Sequence, residues 1–354
     1  MAASARRFAL ALSRSGFSPA ECHRKSLTLA RCDASLGARD AAVSGRVSVW
    51  SPGRIEVFGK HTDYAGGRSL LIAVERGFIA RAAPRSDSRV RVFDAGSDIA
   101  CETLLDLSAT APDGHWSNYV ATAARRIARN FPDVRRGVDI AFESDLPVAA
   151  GVSSSSALLI AVFSAIAAVN HLHDTAIWRS SLPTLPHLAG YLGAMENGGA
   201  FGLLAGENGV GTLGGSQDQT AILCAEPGHI VDYGWMPVRR IGAYPLPPTH
   251  CFVVASSGIV AEKSAGAREQ YNRASQMVAH LLARWNRASV RDDPSLATAM
   301  ESDPGAHDRL RGIIAAGATA QFSAEALRQR LDQFLLETYT LIPAAADAVA
   351  AQDW

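Results

Sequence analysis

The chain has 354 residues, 48% of them hydrophobic, with 34 basic against 34 acidic side chains. A chain of this length buries a sizeable core, in two domains or one large one, and its balanced charge gives no overall field to draw in nucleic acid or an anionic membrane, so any anion site is local. No apolar stretch is long enough to span a bilayer; the apolar patch 8–12 is too short for a secretory segment; five scattered cysteines without metal-ligand spacing fit a reduced, cytoplasmic setting.

Residues 1–40 are rich in Ala, Arg and Leu at helical spacing and predict one or two peripheral helices, an extension ending near residue 45. Residues 47–50 read as a strand. Ile55 and Val57 alternate with their neighbours, so a short strand delivers Arg54 at one end and Lys60 at the other. Lys60, His61 and Asp63 follow closely, before the turn signal Gly66–Gly67. A carboxylate accepts hydrogen bonds, an ammonium donates them and an imidazole does either. That mixture suits a polyhydroxy ligand; taken singly, each residue also fits a solvated loop. Strands follow at 69–82 and 88–93. A helix opens at Trp116 and runs to 128; Trp116 and Tyr119 either join the core or wall a nucleotide base.

The centre of the chain is an alternating strand at 138–143, a loop of small residues, and an apolar helix at 157–169. The loop holds Gly151, Ser153, Ser154, Ser155 and Ser156. Small side chains let backbone amides approach an anion, and a helix start adds free amides and the positive end of its dipole. Serine hydroxyls bind phosphate oxygens or a hard cation such as Mg²⁺. The run fits a polyphosphate cradle and, equally, a polar turn whose serines cap the helix. It is not a Walker A loop, since Gly59–Lys60 is followed by His61.

A helix over 188–195 ends near Glu196, and a glycine-rich loop spans 199–215. Asp218 then starts an apolar run; in isolation it reads as a helix N-cap, with a catalytic base as the other reading. Pro245, Pro247 and Pro248 mark a domain joint near 243–248. Beyond it, 252–255 reads as a buried strand, 265–285 as a helix carrying Tyr271, 292–308 as polar loop and 323–351 as helical.

Three segments, in this order, resemble the GHMP sugar and metabolite kinases, and within them the galactokinases. Gly53–Arg54 through His61–Thr62–Asp63–Tyr64 is similar to the signature G-R-x-x-x-x-G-E-H-T-D-Y. The run from Leu146 to Leu158 is similar to P-x-x-x-G-[LV]-S-S-S, and Gly215–Ser216–Gln217–Asp218–Gln219 to G-I-M-D-Q. Trp116–Tyr119–Val120, Ser257–Gly258–Ile259–Val260 and Tyr271–Asn272–Arg273 add supporting matches.

The resemblance implies an α+β fold of two domains, mixed or antiparallel sheets packed with helices. Residues 46–243 would form the domain with the sugar and ATP site, and 244–354 a partial C-terminal domain. It implies a cytoplasmic, monomeric enzyme of ATP and a small sugar, phosphorylating galactose at its anomeric hydroxyl. ATP would meet Trp116, Tyr119, Gly151 and the serines 153–156. Asp218 would act as base, and Arg54 would neutralise the transferring phosphoryl group while keeping Asp218 ionised. Ser155 and Glu196 would hold Mg²⁺, with Glu207 the alternative acid. His61, Asp63, Gly215 and Tyr271 would contact the sugar, beside Lys60.

Two departures stand out. Lys60 occupies the position where galactokinases carry Glu; a lysine cannot accept a hydrogen bond, so facing inward it implies a uronic acid such as galacturonate, and facing outward it leaves galactose as the substrate. The family's third glycine-rich motif is absent. Its loss implies an incomplete C-terminal sheet with exposed apolar surface, a truncated product, and, as a further reading, a sugar- or ATP-binding homologue impaired in turnover.

Overall fold

The computed structural model describes residues 3–97, 99–108, 116–134, 136–147, 150–255, 265–317 and 321–354. Val148 and Ala149 of the central run, and the match at Ser257–Gly258–Ile259–Val260, lie outside the described residues. In chain order the elements are α1 (Ala3–Arg14), α2 (Pro19–Gly37), β1 (Val47–Phe58), β2 (Arg68–Pro84), β3 (Arg89–Asp94), β4 (Ala100–Leu104), α3 (Ser117–Asn130), β5 (Val138–Ser144), α4 (Ser154–Val169), α5 (Ala176–Ser181), α6 (Leu185–Asn197), α7 (Gln217–Leu223), β6 (His229–Gly234), β7 (Arg239–Pro245), α8 (Ala265–Ser289), α9 (Leu296–Met300), α10 (Ala306–Ala315), α11 (Ala324–Leu336) and α12 (Ile342–Ala350).

The fold is α+β around one mixed sheet. β2 organises it. One edge pairs antiparallel with β1; the other pairs with β6 near Arg68–Leu71 and with β5 over Phe78–Pro84. β3 lies parallel to β5 and antiparallel to β4, and β7 closes the far side against β6. β2 reads as almost continuously apolar because both its faces are covered. Phe78, Ala80 and Ala82 join a core built with α3, α4 and α6, while Ile79 and Ala83 face α1 and α2 on the opposite side. α4 is apolar on every side and correspondingly buried.

After β7 the regular elements among the described residues are helical. α8 to α11 enclose a second core around Trp285, Phe322 and Phe334, into which Ala65 inserts from the β1–β2 connection. A π-helical turn, Glu337–Leu341, joins α11 to α12. Two expectations fail here. Residues 252–255 are not a buried strand: they carry no regular structure and are exposed, Val253 to 85%, and none of β1–β7 pairs with them. An apolar run becomes a strand only through ladder hydrogen bonds. Nor is 292–308 simply polar loop. Ser295 caps α9 by accepting from Thr298 N–H at 3.1 Å, and Leu296 and Met300 are buried in the second core. Five residues are too few for a helical period to show in sequence.

Candidate active site

The serine loop rests on β1. The Arg54 amide donates to Val152 C=O at 3.2 Å. Gly151 and Ser153 both adopt positive φ, +74° and +57°. A non-glycine residue there costs about 1–2 kcal/mol and persists where the surroundings over-determine it, as at binding sites. The first α4 bond runs from Ala157 N–H to Ser153 C=O, so the amides of the preceding turn lie outside the helix's own ladder. The loop residues Gly151, Ser153, Ser154 and Ser155 border a cavity of about 310 Å³. The Ser153 hydroxyl is buried without a hydrogen-bond partner among the described residues, an opening for a ligand oxygen.

Across the cavity stands Asp218. It is not the N-cap of α7; Ser216 holds that position and Asp218 lies in the first turn. Its carboxylate turns instead to a stronger donor. Arg54 Nε donates to Asp218 Oδ1 at 2.8 Å, with Nη2 at 2.7 Å from the same oxygen, while Nη1 donates to Gly151 C=O at 2.7 Å. Arg54 therefore ties the carboxylate to the serine loop. Burial disfavours the guanidinium's charge, yet Asp218 and then Glu56 outweigh it and raise its pKa. Glu56, 4.0 Å from Arg54, also accepts from Gln217 Nε2 at 2.5 Å. Burial raises the Glu56 carboxyl, with Arg54 opposing. The Ser156 hydroxyl lies 2.9 Å from Glu196 Oε2 and 3.3 Å from Asp218 Oδ2, joining three hard oxygen groups.

The third side carries Lys60, His61 and Asp63. Gly59, at φ +99°, turns the chain there; a Cβ would meet Arg68 C=O at 2.5 Å. Asp63 is buried and accepts from Gln217 N–H at 3.1 Å. Gly215 is obligatory at this contact, since a Cβ would fall 2.3 Å from Asp63 Oδ2. His61 packs on Tyr271 of α8, ring centres 4.9 Å apart. α11 grips the loop from outside: Arg330 Nη2 donates to His61 C=O at 2.6 Å and Gln333 Nε2 to Lys60 C=O at 3.4 Å.

Arg54, Lys60, His61, Asp63, Glu196, Gly215, Asp218 and Tyr271 thus line one cavity with the serine loop. Trp116 and Tyr119 are not among its lining residues. Tyr119 is in the main core, and Trp116 packs edge-on against Phe142 at 5.9 Å. Tyr119 is buried and Trp116 half-buried where α3 packs on the sheet. Glu207 is turned away, 2.7 Å from Arg129 and 3.6 Å from Arg125. Glu56, Gln217, Arg268 and Arg330 were not singled out from sequence. The first two lie inside the quoted motifs, but their contact spans 161 residues, and Arg330 reaches the loop through the His61 carbonyl and the Tyr64 ring.

With this geometry in place, comparison with known proteins locates the chain. Residues 118–226 match the GHMP kinases N-terminal domain, and residues 41–84 match the galactokinase galactose-binding signature. A galactokinase of Actinobacillus pleuropneumoniae serotype 5b is 34% identical over 119 residues, 34% of this chain and 31% of the relative. A galactokinase of Haemophilus influenzae (strain PittGG) is 31% identical over 116 residues, 33% of this chain and 30% of the relative. The matched stretch therefore spans about a third of the length of these curated relatives. The galactokinase of Lactococcus lactis, solved with galactose, superposes with a TM-score of 0.64 over 90% of this chain and 73% of that one, at 18% identity, a likeness of fold. Among the described residues no helix is long and apolar enough to cross a membrane.

Proposed function

Since this chain is a galactokinase-related member of the GHMP kinase family, we propose that it transfers the γ-phosphoryl group of ATP to the anomeric hydroxyl of a galactose-configured hexose. The observation that carries this reading is the Arg54 bridge: one guanidinium holds both the Asp218 carboxylate and the Gly151 carbonyl of the serine loop at the wall of one cavity. A general base, an anion cradle and a charge-neutralising cation are the parts phosphoryl transfer needs, because positioning and electrostatics supply most of its acceleration.

In the reaction, Asp218 accepts the anomeric proton as that oxygen bonds to the γ-phosphorus and the bond to the β-phosphate oxygen breaks. Arg54 and the loop amides stabilise the charge on the transferring group. Asp63 and His61 hold sugar hydroxyls. Glu196, with the hydroxyl of Ser156 or of Ser155, offers the hard oxygens that suit Mg²⁺; the ion, when bound, would neutralise triphosphate charge. Glu56, beside Arg54, maintains the guanidinium's place between its two partners. The reading describes a cytoplasmic enzyme of two small molecules, ATP and sugar, working as a monomer without nucleic acid.

The test is ADP release by the full chain with ATP, Mg²⁺ and galactose-series sugars, beside Asp218→Asn. The variant should lose about 10³-fold in kcat while still binding ATP in a calorimeter. Sugar-independent ADP release, or an Asp218→Asn variant as fast as the parent, would remove the proposal.

A further inference from the structure

The cavity wall is unbalanced in one respect. Each of its carboxylates already has a donor: Asp218 has Arg54, Glu196 has Ser156 and Gln219, Asp63 has the Gln217 amide, and Glu56 has Gln217 Nε2. Among its three lining cations, Arg54, Lys60 and Arg268 of α8, only Arg54 is similarly engaged among the described residues. Lys60 lines the same cavity, yet among the described residues its ammonium has no ion-pair or hydrogen-bond partner. Its main chain, by contrast, is fixed: Gly59 turns at φ +99° and Gln333 donates to the Lys60 carbonyl. The main chain is anchored at the wall, and the ammonium is exposed there, with Glu56 acting on it only from beyond ion-pair distance.

Position identifies what the ammonium meets. Lys60 follows the C-terminal end of β1, whereas Arg54 and the serine loop lie towards the strand's middle. Lys60 is flanked by His61, which packs on Tyr271, and by buried Asp63. It therefore lies beyond Arg54 along the chain, on the side of the cavity that carries His61 and Asp63. A neutral hexose offers that cation only hydroxyl oxygens, whereas a carboxylate compensates its charge and makes a charge-assisted hydrogen bond, which is the stronger kind. We infer that the substrate of this site is a hexuronate, a galactose-configured sugar whose C6 is a carboxylate paired with Lys60. The inference rests on the phosphotransfer reading and adds only the acceptor's class.

Galactose and galacturonate are compared as acceptors for the full chain with ATP and Mg²⁺, in the parent and in Lys60→Met and Lys60→Glu. The expected result is a kcat/KM at least tenfold higher for galacturonate in the parent, a ratio reduced at least tenfold in Lys60→Met, reversed in Lys60→Glu, and a KM for ATP shifted less than threefold. A parent that prefers galactose overturns the inference while leaving the kinase reading intact. So does an unchanged ratio in Lys60→Met, or a Lys60→Met effect confined to the KM for ATP, which would assign the lysine to the nucleotide. If neither sugar is turned over, the kinase reading is what fails. Calorimetry then decides the acceptor: tighter galacturonate binding that Lys60→Met abolishes upholds the assignment, and equal or absent binding rejects it.

Discussion

At the residue scale, Asp63 sets how the site responds to pH. Burial raises its carboxyl to about 6, with the amides of Gln217 and Tyr64 opposing. A carboxyl raised in the folded state binds its proton more readily there than in the unfolded chain. Its favourable contribution to folding is therefore complete below about 3.8 and lost as pH rises through about 6. Its service to a sugar hydroxyl runs the other way, since only the ionised form is purely an acceptor. His61 does not share this titration: burial, then Arg330 and Lys60, push it down to about 4. Sugar affinity should accordingly weaken as pH falls through about 6. Asp63→Asn should bind sugar weakly without that pH dependence, yet melt higher than the parent at pH 8. Calorimetry across pH 5–8 and thermal melts check both; an acid limb that survives in Asp63→Asn assigns it to another group. Arg54, the serines and Asp218 were legible only through the ordered family resemblance, since taken alone the serine run reads equally as a capping turn and Asp218 as an N-cap. Glu56 was not: as one polar residue on an alternating strand it means nothing until Gln217 and Arg54 are seen around it.

At the scale of elements, α11 acts on the site without entering it. Arg330 is buried, donates to the His61 carbonyl, pairs with Gln333 at 2.7 Å and lies over the Tyr64 ring. Its role is to fix the loop that carries Lys60 and His61. Arg330→Met should raise the sugar KM about tenfold, the cost of one charge-assisted bond, with a smaller change in kcat because β1, α4 and α7 hold the reacting groups independently. Equal effects on sugar and ATP affinity, in a variant whose melting temperature has collapsed, would instead show general loosening. Nothing local in α11 announces this function, because its partners are 269 and 273 residues away and are carbonyls, which every residue has. The strand–loop–helix from β5 to α4 was visible for the opposite reason: its periodicities change within 20 residues, from alternation to continuous apolar packing. The run 252–255 looked the same as a strand by composition, and only the absence of a paired neighbour among β1–β7 distinguishes it.

At the scale of the molecule, the two N-terminal helices brace the phosphate side from behind the sheet. Lys25 of α2 is buried, 4.1 Å from the centre of the Trp50 ring on β1 and 3.3 Å from Asp145 Oδ2. Asp145 also accepts from Gly77 N–H at 2.6 Å, and it immediately precedes Leu146, where the serine-loop run begins. A second tether runs from Arg31 to Glu143 through Nε at 2.8 Å. Burial lowers the Lys25 pKa while Asp145 opposes, so the ammonium is held by its partner and by the aromatic faces. Lys25→Met keeps the stem packed and removes the charge. Because Asp145 is half exposed and remains hydrated, the loss of stability should be modest, about 1–2 kcal/mol, and Lys25→Ala should add the cost of the lost packing, about 1–2 kcal/mol more. If the brace orders the loop as well as the fold, Lys25→Met should raise the KM for ATP several-fold while the sugar KM moves less, because Lys60, His61 and Asp63 are held by α8 and α11 from the other side. Urea unfolding and initial-rate kinetics on the same samples separate the two effects; a destabilised variant with parental ATP affinity would confine α1 and α2 to holding the sheet.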